Sequence, residues 1–235
     1  MTGGRRRRIL AEIDDGSGTE VTAVELCGVC RRVTGMSGAG IMLMSGDLPL
    51  GSLGTTGAVS ALIEDLQYTL GEGPCVDAYQ LGRPVLEPDL ADPAVPRWMA
   101  FTGPALDAGV RAVFGFPLEI GGVRLGALDL FADRPGRLSD DQHADALVAA
   151  DISAEAVLGM QAKESVGVLA PELERGSNFQ YVVHQAAGMV CSQLDVGIAQ
   201  ALVRLRAYAF AHQRLLAEVA ADVVARRLRF DDRDP

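Results

Sequence analysis

Two apolar runs meet at a Gly-Gly pair in VRAVFGFPLEIGGVRLGALDLFAD, residues 110–133. That pattern specifies a β-hairpin whose turn the glycines supply. It commits this part of the chain to an antiparallel sheet. Upstream, residues 18–33 have apolar positions at helical spacing, and GMSGAGIMLMSGD then turns into a short buried strand. AVSALIEDLQYTL and CVDAYQLG read as helices separated by the breakers of GEGPC, RPVLEPDL reads as a strand-like piece, and residues 93–109 as a loop running into a helix. After the hairpin, Ser139 caps a long helix over 138–159. The expected first unit is a set of helices flanking an antiparallel sheet over residues 18–162, behind a tail at 1–17 whose basic run, Arg5 to Arg8, is read as solvated.

Beyond VGVLAPELERGSNF the pattern changes. Pro171 and Gly176 are read as breakers, which places a linker at 163–178, a second unit at 179–230 and a tail at 231–235. The second unit has no strand pattern, only helical runs at about 179–191, 197–211 and 214–229. Each run has one apolar face: Val183, Ala186, Ala187 and Val190; then Ala201, Leu202, Leu205 and Ala209; then Leu216, Val219, Ala220, Val223 and Val224. Alanine at such contacts lets helix backbones approach closely, giving a compact three-helix bundle whose small core benefits from dimerisation or docking. The fold class is therefore α+β, with a small all-α bundle after the sheet unit.

Charge separates the two units. The chain carries a net charge of −10, yet residues 180–230 hold six arginines against Asp195, Glu218 and Asp222, a local +3 that leaves −13 elsewhere. Phosphate neutralisation needs local positive charge rather than a positive total, so a nucleic-acid reader fused to an acidic sensor has this distribution. Arginine is also a good helix former on solvated faces. Composition alone leaves both readings open.

Several chemistries are excluded. Four scattered cysteines make no disulfide framework, and Cys27 and Cys30 are read as one buried helix face with Val24 and Val33 nearby, since free Cys tends to be buried. His143, His184 and His212 lack metal-ligand spacing, no metal set is evident, and no His lies in the sheet region to serve as an axial haem ligand. Cys75 is read as a small residue after Gly-Pro at a helix start. No nucleophile–base pair, P-loop or Rossmann spacing is present, so neither catalysis nor a cofactor is expected. No run of about 18 apolar residues offers a membrane span, and the protein reads as cytoplasmic.

The stretch HQAAGMVCSQLDVGIAQALVRLRAYAFAHQRLLAEVAADVV resembles an ANTAR domain, the RNA-binding antiterminator module of bacterial regulators. The residues that carry the resemblance are Ala186 and Gly188, Ala201, Leu205, Arg206 and Ala209, and Val219 and Ala220. It implies a three-helix bundle that works as a homodimer and binds paired RNA hairpins, preventing a terminator from forming. Two cations usual in that family are replaced by Gln180 and Ala187. Arginine holds phosphate bidentately and loop bases stack on planar side chains. The first RNA-contact candidates are Arg204, Arg206, His212 and Arg214, followed by Arg226 and Arg227. Tyr208 is read either as a base-stacking ring or as cover for the bundle edge or dimer seam, and Phe210 as packing.

The stretches YTLGEGPCVDAYQLGRPVLEPDL, RWMAF and GVRAVFGFPLEIGGVRLGALDLF resemble a GAF domain of the kind fused to ANTAR domains in actinobacterial regulators. This implies a sheet of six or so antiparallel strands and, in many members, a small-molecule pocket. Met42, Met44, Trp98, Phe101, Phe114, Phe116 and Leu128 are the candidate lining, although ordinary sheet-to-helix core explains most of them equally. The combined expectation is a regulator whose first unit senses a small molecule or dimerises and whose second binds RNA. The alternative is an interaction protein whose second unit docks a protein partner.

Overall fold

The computed structural model describes residues 2–13, 21–45, 48–162, 171–212, 214 and 216–231. The chain divides into two compact units, Met1–Glu174 and Arg175–Pro235.

The first unit runs α1 (Thr2–Ile13), α2 (Ala23–Thr34), β1 (Gly38–Ser45), β2 (Leu48–Thr55), α3 (Ala58–Leu70), α4 (Pro74–Leu81), β3 (Val85–Glu87), α5 (Met99–Asp107), β4 (Ala112–Ile120), β5 (Val123–Ala132) and α6 (Asp140–Ala162). Five strands form one antiparallel sheet in the order β2-β1-β5-β4-β3. The expected hairpin is β4–β5, and the strand missed by sequence is β2, where LPLGSLGT offers too few β-branched residues to stand out. Two helix starts are set by reciprocal side-chain caps. Thr22 and Glu25 form a capping box at α2, and Ser139 and Gln142 exchange the equivalent bonds before α6, at 3.2 and 3.0 Å.

Alternation along the strands builds two different faces. On one, Ala39, Ile41 and Leu43 of β1, Phe114, Phe116 and Leu118 of β4, and Leu128 and Leu130 of β5 pack with α2 and α6 in a single apolar core. Cys27 and Cys30 belong to that core, but with Leu26 and Val29 rather than Val24, which is exposed. The opposite face meets α3 and α4. There Gly40 and Gly115 permit close approach: a Cβ on Gly40 would lie 2.4 Å from Glu64 Oε1, and one on Gly115 would lie 2.2 Å from the Pro74 carbonyl oxygen.

The basic N-terminal run is not a solvated tail. It lies in α1, whose Ile9 is buried in the sheet core, while Arg5 pairs with Asp141 and Asp145, Arg8 with Asp145 and Arg6 with Glu155 on α6. Ile9, the apolar residue behind the four arginines, docks the segment.

The second unit holds α7 (Pro171–Leu194) from Arg175 onward, α8 (Ile198–Ala211) and α9 (Leu216–Val224). Residues 163–170 of the expected linker lie outside the described residues; Pro171 and Gly176 of that linker fall inside α7. Proline is tolerated at the first helical position because its missing N–H has no intrahelical partner there. The helix expected to run to 229 ends at Val224. Arg226 takes a left-handed φ of 58°, and the chain turns so that Phe230 is buried, its N–H donating to Gln193 Oε1 at 2.8 Å.

Candidate functional site

The sheet face beneath α3 and α4 holds a cluster of buried polar groups. Asp129 sits in mid-β5, paired across to Gly40 on one side and Gly115 on the other. Glu64 and Gln67 are one helical turn apart on α3, so both face the sheet, and Cys75 lies in the first turn of α4. All four are buried. Gln67 Nε2 donates to Asp129 Oδ2 at 2.7 Å, and Gln67 Oε1 accepts the Cys75 backbone N–H at 2.8 Å. Both oxygens of Glu64 and Asp129 Oδ1 have no hydrogen-bond partner. One ligand atom from each of Glu64, Cys75 and Asp129 falls within 4.8 Å of the other two.

Burial dominates the electrostatics of this cluster. It pushes Asp129 up to about 7, against which the Gln67 hydrogen bond pulls down. It raises Glu64 well above the usual carboxylate range, with the neighbouring Asp129 adding to the effect. The Cys75 thiol is also pushed up, first by burial and then by the two carboxylates. Burial thus favours the protonated form of each group.

Beside the cluster, Glu72 Oε1 accepts the N–H groups of Ala100 and Phe101 at 2.7 and 2.9 Å, capping α5 from the preceding loop. Trp98 donates its indole N–H to Asp77 at 3.0 Å and meets Phe101 edge to face.

The seven residues expected to line one pocket do not come together. Phe114, Phe116 and Leu128 belong to the core on the α2 and α6 side, where Phe116 also meets His143. Met42, Met44, Trp98 and Phe101 are buried outside that core. Period-two alternation divides a strand's apolar residues between opposite faces, so composition could not place them on one. A cleft of about 300 Å³ lies instead at the start of α3, lined by Ser37, Thr56 to Ser60, Ala108 to Val110, Phe131 and Asp133. Sequence reasoning missed Glu64, Gln67 and Asp129. The available signal was an aspartate in the middle of the apolar strand LGALDLF.

In the second unit, Ala186, Ala187, Ala201, Leu205, Ala209, Val219 and Ala220 are fully buried. Among the RNA-contact candidates, Arg214 pairs with Asp222 at 2.6 Å and Arg227 with the same carboxylate at 2.7 Å. Arg226 and Arg227 are exposed, and Arg204 and Arg206 are partly so. His212 stacks on Tyr208 at 3.9 Å, and Phe230 meets Tyr208 edge to face at 5.3 Å. Burial, then Arg206, lower the pKa of His184. Phe210, expected to pack, is 62% exposed within its unit. Among the described residues no single helix is long and apolar enough to cross a membrane.

No curated protein matches the chain. Similar solved structures include the GAF domain from an Acinetobacter phosphoenolpyruvate-protein phosphotransferase, 13% identical with a TM-score of 0.53, which covers 69% of this chain and 96% of that one. The GAF domain from a phosphoenolpyruvate-protein phosphotransferase (ptsP) of Coxiella burnetii is 14% identical with a TM-score of 0.52, covering 69% of this chain and 95% of that one. These likenesses concern the fold alone. Residues 18–153, more than half of the chain, match the family of the GAF domain, and the chain belongs to that family.

Proposed function

We propose that this protein is a signal-responsive RNA-binding regulator of transcription antitermination, in which the GAF unit senses a signal or dimerises and the C-terminal bundle binds paired RNA hairpins. The observation that carries the reading is the charge partition, a bundle of local +3 in a chain whose remainder carries −13. The ANTAR-like sequence pattern supports it. Its residues Ala186, Ala201, Leu205, Ala209, Val219 and Ala220 make the core of the helical unit, leaving arginines for the surface. Ala187, where that family often carries lysine, is itself buried here; the side chain of Gln180 lies outside the described residues. Tyr208 is engaged on one face by His212 and at its edge by Phe230, which favours the reading of that ring as bundle cover. The protein acts in the cytoplasm, as a homodimer, without catalysis.

A protein-docking role for the bundle has one observation in its favour. Val203 and Phe210, two turns apart on α8, are 60% and 62% exposed. The two readings separate in a competition assay that offers the purified chain paired hairpins, a single hairpin and duplex DNA of equal length. Preference for the paired hairpins supports the regulator, equal binding to all three reports only non-specific phosphate neutralisation, and absence of binding to all three supports docking.

A further inference from the structure

We propose that Glu64, Cys75 and Asp129 form a binding site for a borderline divalent transition-metal ion of the Zn²⁺ or Fe²⁺ kind. The site is independent of the RNA reading and would give the first unit a ligand. Three observations support it.

The donors converge. Their ligand atoms already lie within 4.8 Å of one another. Four-coordinate Zn²⁺ with bonds of about 2.0–2.3 Å keeps its ligands roughly 3.3–3.7 Å apart, so small side-chain adjustments close the sphere. Three protein ligands leave a tetrahedral position for an exogenous one.

Oxygens on two of the donors also lack hydrogen-bond partners. A buried acceptor without a hydrogen bond costs about 1–3 kcal/mol, and more when charged; this cluster has three such oxygens, two on Glu64 and one on Asp129. Gln67 holds Asp129 through Oδ2 only, which fixes the carboxylate while leaving Oδ1 as a donor. The Cys75 thiol hydrogen-bonds within the cluster, to Asp129 and Gln67, whereas the remaining buried thiols are engaged outside it: Cys27 Sγ donates to the Gly54 carbonyl at 3.2 Å and Cys30 Sγ lies 3.6 Å from Ser153 Oγ.

The third observation is chemical type. A thiolate disfavours Mg²⁺ and Ca²⁺, which take oxygen ligands, while two carboxylates disfavour Cu⁺; the mixed set suits the borderline dications. Among the described residues no Lys or Arg is buried, so the ion supplies the positive charge. Uptake breaks the S–H bond of Cys75 and the O–H bonds of Asp129 and Glu64, forms one metal–sulfur and two metal–oxygen bonds in their place, and sends the protons to solvent, since such ligands bind in their deprotonated forms.

The test is a Co²⁺ titration of the full chain after chelator treatment and dialysis, followed by competition with Zn²⁺. The expected result is one Co²⁺ per chain, taken up with release of protons and a near-ultraviolet thiolate-to-cobalt charge-transfer band that Zn²⁺ then abolishes. Cys75→Ser and Asp129→Asn should weaken binding by at least about 100-fold, Gln67→Leu by about 10–100-fold, and Cys191→Ser not at all. Failure to bind, binding without the band, or an unchanged band in folded Cys75→Ser overturns the site. If those variants fail to fold, crystals of the parent chain grown with Zn²⁺ decide. An anomalous peak among Glu64, Cys75 and Asp129 supports the site, and its absence there contradicts it.

Discussion

Gln67 on α3 holds Asp129 on β5 by a 2.7 Å hydrogen bond within the core of the GAF unit. The same amide accepts the Cys75 N–H that opens α4, so one side chain ties two helices and the central strand together. Gln67→Leu removes the amide partner of both in a buried site. The expected loss is about 2–4 kcal/mol, read by urea denaturation with an unchanged slope against denaturant. A loss below 0.5 kcal/mol on the order-of-magnitude scale for surface changes would show that the tie is inconsequential.

The ionisation of Asp129 makes a pH prediction for the chelator-treated protein. Its folded pKa of about 7 lies above the 3.8 of a solvated carboxyl. Between those values the folded state keeps a proton that the unfolded state has lost, so this group makes stability fall as pH rises through that window. Thermal unfolding of the parent minus that of Asp129→Asn, followed from pH 5 to about 8, should show the parent losing ground as pH rises. A difference that is flat or of opposite slope contradicts the assignment.

Glycine substitutions should divide by position. Gly115→Ala drives a Cβ to within 2.2 Å of the Pro74 carbonyl oxygen and should cost about 3 kcal/mol or more, because backbone rather than a movable side chain must shift. Gly159→Ala, inside α6 with nothing within 4 Å of the new carbon, should stabilise by roughly 0.5–1 kcal/mol through helix propensity. Chemical denaturation of the two variants beside the parent checks both signs.

Docking of α1 is tested by Ile9→Ala. The side chain is 1% exposed within the sheet core, so the cavity left behind should cost about 2–4 kcal/mol. A solvated N-terminal segment would lose nothing measurable in the same denaturation experiment.

Asp222 holds Arg214 and Arg227 together. Its replacement by alanine removes a negative charge, releases Arg227 from it and leaves Arg214 with only the looser pair to Glu218 at 3.9 Å. Under the proposed function, hairpin affinity should rise severalfold at low salt, measured by fluorescence anisotropy on folded protein. An unchanged affinity would remove these two arginines from the interface.

Much of the architecture was legible locally. The β4–β5 hairpin follows from its glycine turn and the α6 start from Ser139, because turns and caps are specified by neighbouring residues; the α2 start at Ala23, set by the Thr22–Glu25 capping box, falls inside the run expected from residue 18. Strand β2 was not legible: its glycines and proline read as loop until β1 pairs with it. The polar cluster was illegible for a different reason. Glu64, Cys75 and Asp129 are far apart in sequence, and only the antiparallel crossing of β5 under α3 and α4 makes them neighbours. Similarly, Phe230 looked like part of a helix or tail, and its burial depends on the left-handed turn at Arg226.

The most direct test of the proposed function is equilibrium binding of the full chain to a fluorescent paired-hairpin RNA across a salt series, beside the double variant Arg204→Glu/Arg206→Glu. Phosphate neutralisation predicts tight binding at low salt, a steep linear fall of log affinity with log salt, and loss of most of that affinity in the folded variant. Affinity that is absent at low salt, insensitive to salt, or equal in parent and variant would contradict an RNA-binding bundle.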